Sequence, residues 1–273
     1  MTAVFVDDRR WEVHVRGAGP ALLLVHGFTG RATSWGAHAT TFARGFRVVA
    51  PDLPGHGGSH VPVDPRCASV ERSADDLAEI LERLDAVPAH VVGYSLGARI
   101  ALRLAIAHPG VVRRLVLESP SAGLATERER AARRVADDAR AALLEREGIG
   151  AFVDAWEREP VFGSQASLPP AVSARLRAER LGNRPDGLAA SLRGAGQGST
   201  EPLHDRLGNV MSRTLVIAGG LDPGGLGRAE VVAAGIPGAR LEIVAGSGHA
   251  PHLETPDAFR SLVLAYLKED PAA

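Results

Sequence analysis

Short apolar runs alternate with amphipathic stretches along most of the chain. The runs that predict strands are WEVHV, ALLLVHG, FRVVAPD, AHVVGYS, VRRLVLES, TLVIAGG and ARLEIVAG. Between them, ADDLAEILERL and LGARIALRLAIAH repeat apolar residues at helical spacing, and Ser73 is the expected N-cap of the first helix. The last helix is expected to begin at TPDAF, with Thr255 as N-cap and Pro256 as its first residue. Strands that alternate with helices indicate a mostly parallel sheet flanked by helices, which is an α/β fold.

The alternation stops after VRRLVLES and returns at TLVIAGG. The stretch between them, residues 123–207, has a helical pattern rich in arginine and glutamate, with loops at GSQASLPP and GNRPDG. It is too long for a connecting loop and shows no strand pattern. We therefore expect a helical cap at residues 123–207, inserted after the sixth strand, which divides the core into residues 1–122 and 208–273.

Composition narrows the class of protein. The chain has 273 residues, a formal net charge of −1 and one cysteine, Cys67, so a disulfide framework is excluded. It begins without a signal-like apolar segment, and no apolar run approaches the roughly 20 residues that span a bilayer. We expect a cytoplasmic protein without nucleic-acid or membrane partners, and its oligomeric state stays open. Lys268 is the only lysine, so a single arginine is weak evidence of a site.

A nucleophile elbow is predicted where the strand AHVVGYS meets the following helix. Residues 93–97 read GYSLG and match the pattern G-x-S-x-G, which places Ser95 in a sharp turn between strand and helix. The glycines suit a turn that packs closely against its neighbours. Such a turn lifts the Ser95 hydroxyl out of the sheet edge and directs the Leu96 N–H at a reacting oxygen. Ser95 is therefore the expected nucleophile or base.

A serine hydroxyl needs a general base and an acid behind it. His249 lies in GSGHAPHLETP, directly after a predicted strand, and is favoured as the base over His252. Asp222 follows the strand TLVIAGG and is favoured as the acid over Glu118, which ends VRRLVLES. The order serine, acid, histidine is the order of a strand–turn–helix hydrolase site.

An oxyanion hole needs a second N–H beside that of Leu96. The strand ALLLV leads into HGFTG, so the Phe28 amide is the expected second donor. His26 in the same loop is expected to fix the loop. His56, in the loop DLPGHGGS, is interpreted as structural.

Taken together, HGFTG, DLPGHGGS, GYSLG, Asp222 and GSGH resemble the α/β-hydrolase superfamily over the whole chain. This resemblance implies the fold but not the reaction, since esterases, lipases, C–C bond hydrolases and lyases share these motifs. A narrower resemblance is carried by GYSLGARIAL, ESPSAGLATERERAARR, FVDAWEREPVF and RAERLGNRPDGLAASLRGAGQG. These segments look like the 2-succinyl-6-hydroxy-2,4-cyclohexadiene-1-carboxylate (SHCHC) synthases of menaquinone (vitamin K2) biosynthesis.

The narrower resemblance implies a lyase with a small polycarboxylate substrate, 2-succinyl-5-enolpyruvyl-6-hydroxy-3-cyclohexene-1-carboxylate. Such an enzyme abstracts a proton next to the succinyl ketone and expels pyruvate, without a cofactor or a metal. Ser95 then acts as a base rather than an acylated nucleophile, and the oxyanion hole stabilises an enolate-like oxygen.

The same resemblance assigns the substrate-binding residues. A guanidinium matches a carboxylate with two parallel hydrogen bonds, and the matched arginines are Arg99, Arg133 and Arg180. The residues expected to line the pocket are Tyr94, Trp156 and Phe162. The chain departs from the family pattern at Ala98, in a missing proline in SPSAGL, and in the glycines that follow Asp222-Pro223.

Two alternatives stay open. A serine hydrolase, either a carboxylesterase or a C–C bond hydrolase, would use the same triad with an apolar pocket, and the cap arginines would then be a solvated helix face. A non-catalytic relative that binds a ligand is the third possibility, although such relatives usually lack a triad member.

Overall fold

The computed structural model describes residues 1–269, which contain one eight-stranded sheet. Its strands are β1 (Thr2–Val6), β2 (Arg9–Arg16), β3 (Ala21–Val25), β4 (Arg47–Pro51), β5 (Ala89–Tyr94), β6 (Val112–Glu118), β7 (Arg213–Gly219) and β8 (Arg240–Val244). The spatial order is β1-β2-β4-β3-β5-β6-β7-β8, antiparallel from β1 to β4 and parallel from β4 onwards. The mostly parallel α/β sheet is confirmed. Strand β1 is absent from the runs that predict strands, and when it is counted VRRLVLES is the sixth strand, after which the cap was expected.

Helices cover both faces of the sheet. The α-helices are α1 (Gly36–Phe42), α2 (Val70–Arg83), α3 (Leu96–Ala107), α4 (Glu127–Trp156), α5 (Pro170–Leu181), α6 (Pro185–Ala195), α7 (Pro223–Gly235), α8 (Pro251–Glu254) and α9 (Pro256–Lys268). Helices α2, α3 and α7 pack on one face through residues such as Leu77, Leu102 and Val232. Helices α1 and α9 pack on the other through Phe42 and Phe259. Burial of these apolar side chains on both faces is what a parallel sheet requires.

The start of α2 differs from the prediction. Ser69, rather than Ser73, is the N-cap, and its hydroxyl accepts a hydrogen bond from the Arg72 N–H at 3.1 Å. The helix begins one turn earlier than predicted because Val70 is fully buried in the core. Ser73 lies inside the helix and is itself buried.

The start of α9 agrees with the prediction in position but not in bonding. Thr255 is the N-cap residue and Pro256 is the first helical residue. The Thr255 side chain makes no capping bond to α9 and donates instead to the Pro251 carbonyl, at 3.2 Å, in the preceding short helix α8.

The chain between β6 and β7 is helical and contains no strand among residues 119–212. It consists of α4, the 3-10 segment Pro160–Ser167, α5, α6 and the 3-10 segment His204–Asn209. Helix α4 breaks at Gly148, whose φ is 78°. Helices α4 and α6 share a separate apolar cluster that includes Leu144, Phe152 and Leu188. Residues 123–207 are called the cap below. We propose that they form a domain separate from the core.

The parallel strands all end at the edge of the sheet that the cap covers. In an open α/β sheet this edge carries the ligand site, since loops from several strands converge there. Within residues 1–269, the helices are all too short or too polar to cross a membrane.

Candidate active site

Ser95 lies in a strained turn between β5 and α3. Its φ is 52° and its ψ is −107°, in the left-handed half of conformational space that residues with a side chain rarely adopt. A Cβ at Gly93 would collide with the Gly97 carbonyl, and one at Gly97 would collide with the Val25 carbonyl. Both glycines of G-x-S-x-G are therefore required by the close packing of this turn.

A chain of hydrogen bonds leads from Ser95 to Asp222. The Ser95 hydroxyl lies 3.0 Å from His249 Nε2, and His249 Nδ1 lies 2.8 Å from Asp222 Oδ2. The Gly225 N–H donates to the other Asp222 oxygen at 2.8 Å. Burial raises the pKa of Asp222, but the bonds from His249 and Gly225 outweigh it and hold the pKa below its usual value. An ionised Asp222 fixes the His249 tautomer, which leaves Nε2 free to accept the serine proton.

The end of β6 holds both Ser95 and His249 in place. The Ser95 N–H donates to the Glu118 carbonyl at 2.9 Å, and the Ser119 hydroxyl donates to the His249 carbonyl at 2.8 Å. Ser119 itself has a φ of 50°. Sequence analysis missed Ser119 because nothing in the local pattern distinguishes it from an ordinary loop serine.

The two residues weighed against the favoured base and acid form a pair of their own. Glu118 is fully buried, and its Oε1 accepts 2.8 Å hydrogen bonds from both the N–H and Nδ1 of His252. The His252 ring packs edge-on against Tyr94, with 4.6 Å between ring centres. Neither side chain takes part in the hydrogen-bond chain from Ser95 through His249 to Asp222.

His26 connects the loop after β3 to the loop after β4. Its Nε2 accepts from the Leu53 N–H at 2.9 Å, and its Nδ1 lies 2.8 Å from the Gly27 carbonyl. Burial lowers the pKa of His26 to about 4, so the ring is neutral. His56 is also buried, with its Nδ1 3.1 Å from the Pro54 carbonyl. These contacts agree with loop-fixing and structural roles.

The two residues expected to supply the oxyanion donors, Phe28 and Leu96, line the cavity that Ser95 also lines. Leu96 is the first residue of α3, so its N–H has no partner within the helix. Within residues 1–269, the Phe28 N–H makes no backbone hydrogen bond in the loop after β3. Phe28 and Leu96 line the same cavity as Ser95, where two free N–H groups could receive a developing oxyanion.

One cavity of about 400 Å³ lies between the sheet edge and the cap. Every residue predicted for the site lines it except Asp222, which lies behind His249. The residues that it brings together are Phe28, Tyr94, Ser95, Leu96, Arg99, Arg133, Trp156, Phe162, Arg180 and His249.

Arg99 lies on α3, is buried and lines this cavity. Its guanidinium donates to the Thr200 hydroxyl at 3.0 Å and has no carboxylate within 4.0 Å among residues 1–269. Burial, together with the charge of Arg133, lowers the pKa of Arg99 to about 10, and the group stays charged at neutral pH. Arg99 is therefore a buried cation whose partner is neutral.

Arg133 and Arg180 differ from Arg99 because each has a carboxylate partner within the cap. Arg133 Nε donates to both oxygens of Asp137, at 2.8 and 2.9 Å. Arg180 donates to Glu157 at 3.0 Å. The partners neutralise part of the charge and fix the direction of each guanidinium.

Sequence analysis missed Arg140, Asp137 and Glu159. Arg140 lines the cavity, donates to Glu159 at 2.6 Å and lies 3.6 Å from Asp137. The i,i+4 spacing of Arg133 and Asp137 is the one available signal, and it is common on any charged helix.

Aromatic rings form another part of the lining. Trp156 packs edge-on against Phe28 with 5.2 Å between ring centres, and lies 5.4 Å from Phe162. Phe162 in turn lies 6.2 Å from the His249 ring. Burial raises the pKa of the Tyr94 phenol, so this side chain stays neutral. No cluster of three metal-ligating side chains occurs in the described part of the chain.

Comparisons with known proteins identify the family of the chain. A family model described as alpha/beta hydrolase fold matches residues 20–256. A Bacillus subtilis protein named as a candidate 2-succinyl-6-hydroxy-2,4-cyclohexadiene-1-carboxylate synthase is 36% identical, over 96% of each chain. A Salmonella paratyphi C protein named as that synthase is 32% identical, over 87% of this chain and 89% of its own. The solved structure of MenH from S. aureus is 32% identical with a TM-score of 0.89, covering 94% of this chain and 97% of that chain.

Proposed function

The chain belongs to the α/β-hydrolase fold family and, within it, to the SHCHC synthases, and from this premise we propose how it acts. It eliminates pyruvate from 2-succinyl-5-enolpyruvyl-6-hydroxy-3-cyclohexene-1-carboxylate by proton abstraction at Ser95. The observation that carries this proposal is a single cavity lined both by the hydrogen-bonded Ser95 and by the arginines Arg99, Arg133 and Arg180.

The reaction begins with activation of Ser95. His249 takes the serine proton at Nε2, and the ionised Asp222 stabilises the imidazolium that forms. The 3.0 and 2.8 Å hydrogen bonds along this chain support the role. The serine oxygen then removes the proton next to the succinyl ketone of the substrate.

Electrons from the broken C–H bond move into the ketone and through the ring, and the C–O bond to the enolpyruvyl group breaks. The ketone oxygen gains negative charge during this step, and the Phe28 and Leu96 N–H groups stabilise it. The proton held by His249 is available to the departing pyruvate enolate. Ser95 keeps the proton that it took from the substrate, so both residues return to their starting states.

The arginines orient the substrate through its carboxylates. Arg99, Arg133 and Arg180 line one cavity, and a substrate with three carboxylates offers each of them a partner. Binding energy from these groups, which do not react, fixes the C–H bond against Ser95.

The serine-hydrolase alternative is less well supported. An esterase for uncharged substrates would have no use for three guanidiniums in its pocket, and two of them, Arg99 and Arg180, are buried at a desolvation cost. The sequence-based expectations of a cytoplasmic location, of action without a cofactor and of a chain with no nucleic-acid partner stay part of this proposal.

A pyruvate-coupled assay run beside a panel of p-nitrophenyl esters tests the proposal. The expected result is pyruvate release from the enolpyruvyl substrate and slow turnover of short uncharged esters. Fast ester hydrolysis without pyruvate release, unaffected by changes at the three arginines, would instead identify a carboxylesterase.

A further inference from the structure

Three buried hydrogen-bond donors without acceptors cluster in the cap around Phe162. They are Trp156 Nε1, Gln165 Nε2 and Arg180 Nε, and none has an acceptor within residues 1–269. All three side chains line the cavity. Burying a donor without an acceptor costs its desolvation, so three such donors in one place call for a ligand or ordered water.

Their positions follow from the local structure. Phe162 and Gln165 lie three residues apart in the 3-10 segment Pro160–Ser167, and residues at this spacing lie on one face of a 3-10 helix. The Arg180 guanidinium carbon lies 5.2 Å from the centre of the Phe162 ring, and the Trp156 ring centre lies 5.4 Å from it. The three side chains that carry these donors therefore lie next to one another beside the Phe162 ring.

The orientation of the Gln165 amide is fixed by Arg180. Gln165 Oε1 accepts a hydrogen bond from the Arg180 NH2 group at 3.3 Å, which leaves the amide NH2 as the end without a partner. If the amide were flipped, its NH2 group would face the Arg180 NH2 group, and two donors would meet without an acceptor. Because Glu157 already pairs with Arg180, the cluster recognises its ligand mainly through directed N–H groups and less through net charge.

We infer that Gln165, Trp156 and Arg180 form a carboxylate subsite of the cavity, in which Gln165 is a substrate-binding residue. A carboxylate has only acceptor positions and can satisfy several donors at once. The inference rests on the proposed function, because the polycarboxylate substrate supplies the ligand, and it adds Gln165 to the residues that select that substrate.

Two substitutions of Gln165 test this subsite in the full-length enzyme. Gln165→Met keeps the side-chain length but removes the donor, and it should raise KM roughly tenfold with kcat changed less than about threefold. Gln165→Glu places a carboxylate where the substrate carboxylate is expected, and it should raise KM further. The matched control is Ser167→Ala, because Ser167 is exposed in the same 3-10 segment and its hydroxyl donates to the Ser164 carbonyl at 2.8 Å.

A double-mutant cycle separates a binding role from a structural one. On an Arg180→Ala background, Gln165→Met should change KM less than about twofold, since the two residues hold the same carboxylate. A purely structural role would instead lower the melting temperature of both single variants and leave their citrate affinity equal to that of the wild type.

Calorimetric titration with citrate, a tricarboxylate probe, measures the subsite independently of pyruvate release. Citrate should bind more weakly to both Gln165 variants than to the wild type. Equal KM and equal citrate affinity in wild type and both variants would overturn the subsite, for instance if water alone satisfies these donors. Failure of the wild type to release pyruvate would overturn the proposed function, and the citrate titration would still decide on the subsite.

Discussion

The sheet side and the cap side of the cavity hold their functional groups by different means. On the sheet side, Ser95 and His249 are held by backbone carbonyls and by the neighbouring Ser119, and their hydrogen-bond chain is complete. On the cap side, Arg133 and Arg180 are held by ion pairs with carboxylates of the cap itself. Under the proposed function, the chemistry therefore depends on the geometry of the sheet edge, whereas substrate binding depends on the guanidinium and N–H groups that line the cap side of the cavity.

Arg99 shows where the two sides meet. It comes from α3, on the sheet side, and reaches Thr200 in the cap, where it has a neutral partner. It is thus the guanidinium of the three with the least competition for a substrate carboxylate. This difference gives each side of the cavity its own expected response to mutation.

The largest effect is expected from loss of the sheet-side hydrogen-bond chain. Ser95→Ala and His249→Ala should each lower kcat roughly 10⁴-fold or more, and the double variant should be little worse because the residues act as one unit. Steady-state pyruvate release at saturating substrate measures this, with circular dichroism as the control for folding. A folded Ser95→Ala variant with near-native turnover would contradict the mechanism.

Loss of Arg99 should have the next largest effect. Arg99→Ala is expected to lower kcat/KM roughly 10- to 150-fold, because a hydrogen bond to a charged group is lost. This factor corresponds to about 1.5–3 kcal/mol of transition-state stabilisation. Arg99→Lys should restore part of the activity, since an ammonium cannot form the same two parallel bonds. The same pyruvate assay gives both values, and full activity in Arg99→Lys would argue against bidentate binding.

Stability should separate the cap arginines from Arg99. Arg133→Ala leaves the buried Asp137 without its closest partner and is expected to cost about 1–3 kcal/mol of unfolding free energy. Arg99→Ala removes a buried cation without a carboxylate partner, so it should leave the unfolding free energy nearly unchanged. Urea unfolding of both variants measures the difference in unfolding free energy. Equal losses of unfolding free energy in Arg133→Ala and Arg99→Ala would show that the cap ion pairs do not separate the cap side from the sheet side.

Acid should weaken the loops of the sheet side before it weakens the cap. Burial lowers the pKa of His26 to about 4 and of His56 to about 3, below the value of about 6.5 in the unfolded chain. Their stabilisation is therefore complete above about pH 6.5 and is lost as the pH falls towards 4. At pH 5.5 each of the two histidines should lower the free energy of unfolding by about 1.4 kcal/mol.

Hydrogen exchange at pH 7.5 and pH 5.5, corrected for the intrinsic exchange rate, measures this response. Protection should fall first in the loops at residues 26–30 and 52–60. Uniform loss of protection across the loops and the cap would contradict the assignment of these histidines as neutral loop anchors.

The smallest predicted effect concerns the strain at Ser95. Ser95→Gly should be inactive but about 1 kcal/mol more stable than Ser95→Ala, because glycine adopts the observed φ of 52° without steric cost. Thermal unfolding of the two variants provides the comparison. A Gly variant less stable than the Ala variant would mean that the turn is not strained.

Sequence patterns anticipated the sheet side far better than the cap side. G-x-S-x-G and the loops after β7 and β8 have local signatures, because a fixed turn geometry demands particular residues at fixed positions. The partners of the cap arginines, Asp137 and Glu157, depend on how the helices pack, and a single sequence rich in arginine and glutamate does not distinguish them. The same reason hid Ser119, which acts through the distant His249.

Secondary structure was missed where tertiary contacts decide it. Strand β1 has five residues and gains its pairing from β2, and its burial alternates too briefly to stand out in the sequence. Helix α2 extends back to Val70 because the core buries that residue, which a search for N-cap residues alone does not reveal.

The most direct test of the account is the amount of pyruvate formed per molecule of the enolpyruvyl substrate consumed by the wild-type enzyme. The account predicts one pyruvate and one SHCHC for each substrate, with no release above the uncatalysed rate from the Ser95→Ala variant. Consumption of the substrate without pyruvate, or equal pyruvate release by wild type and Ser95→Ala, would contradict it.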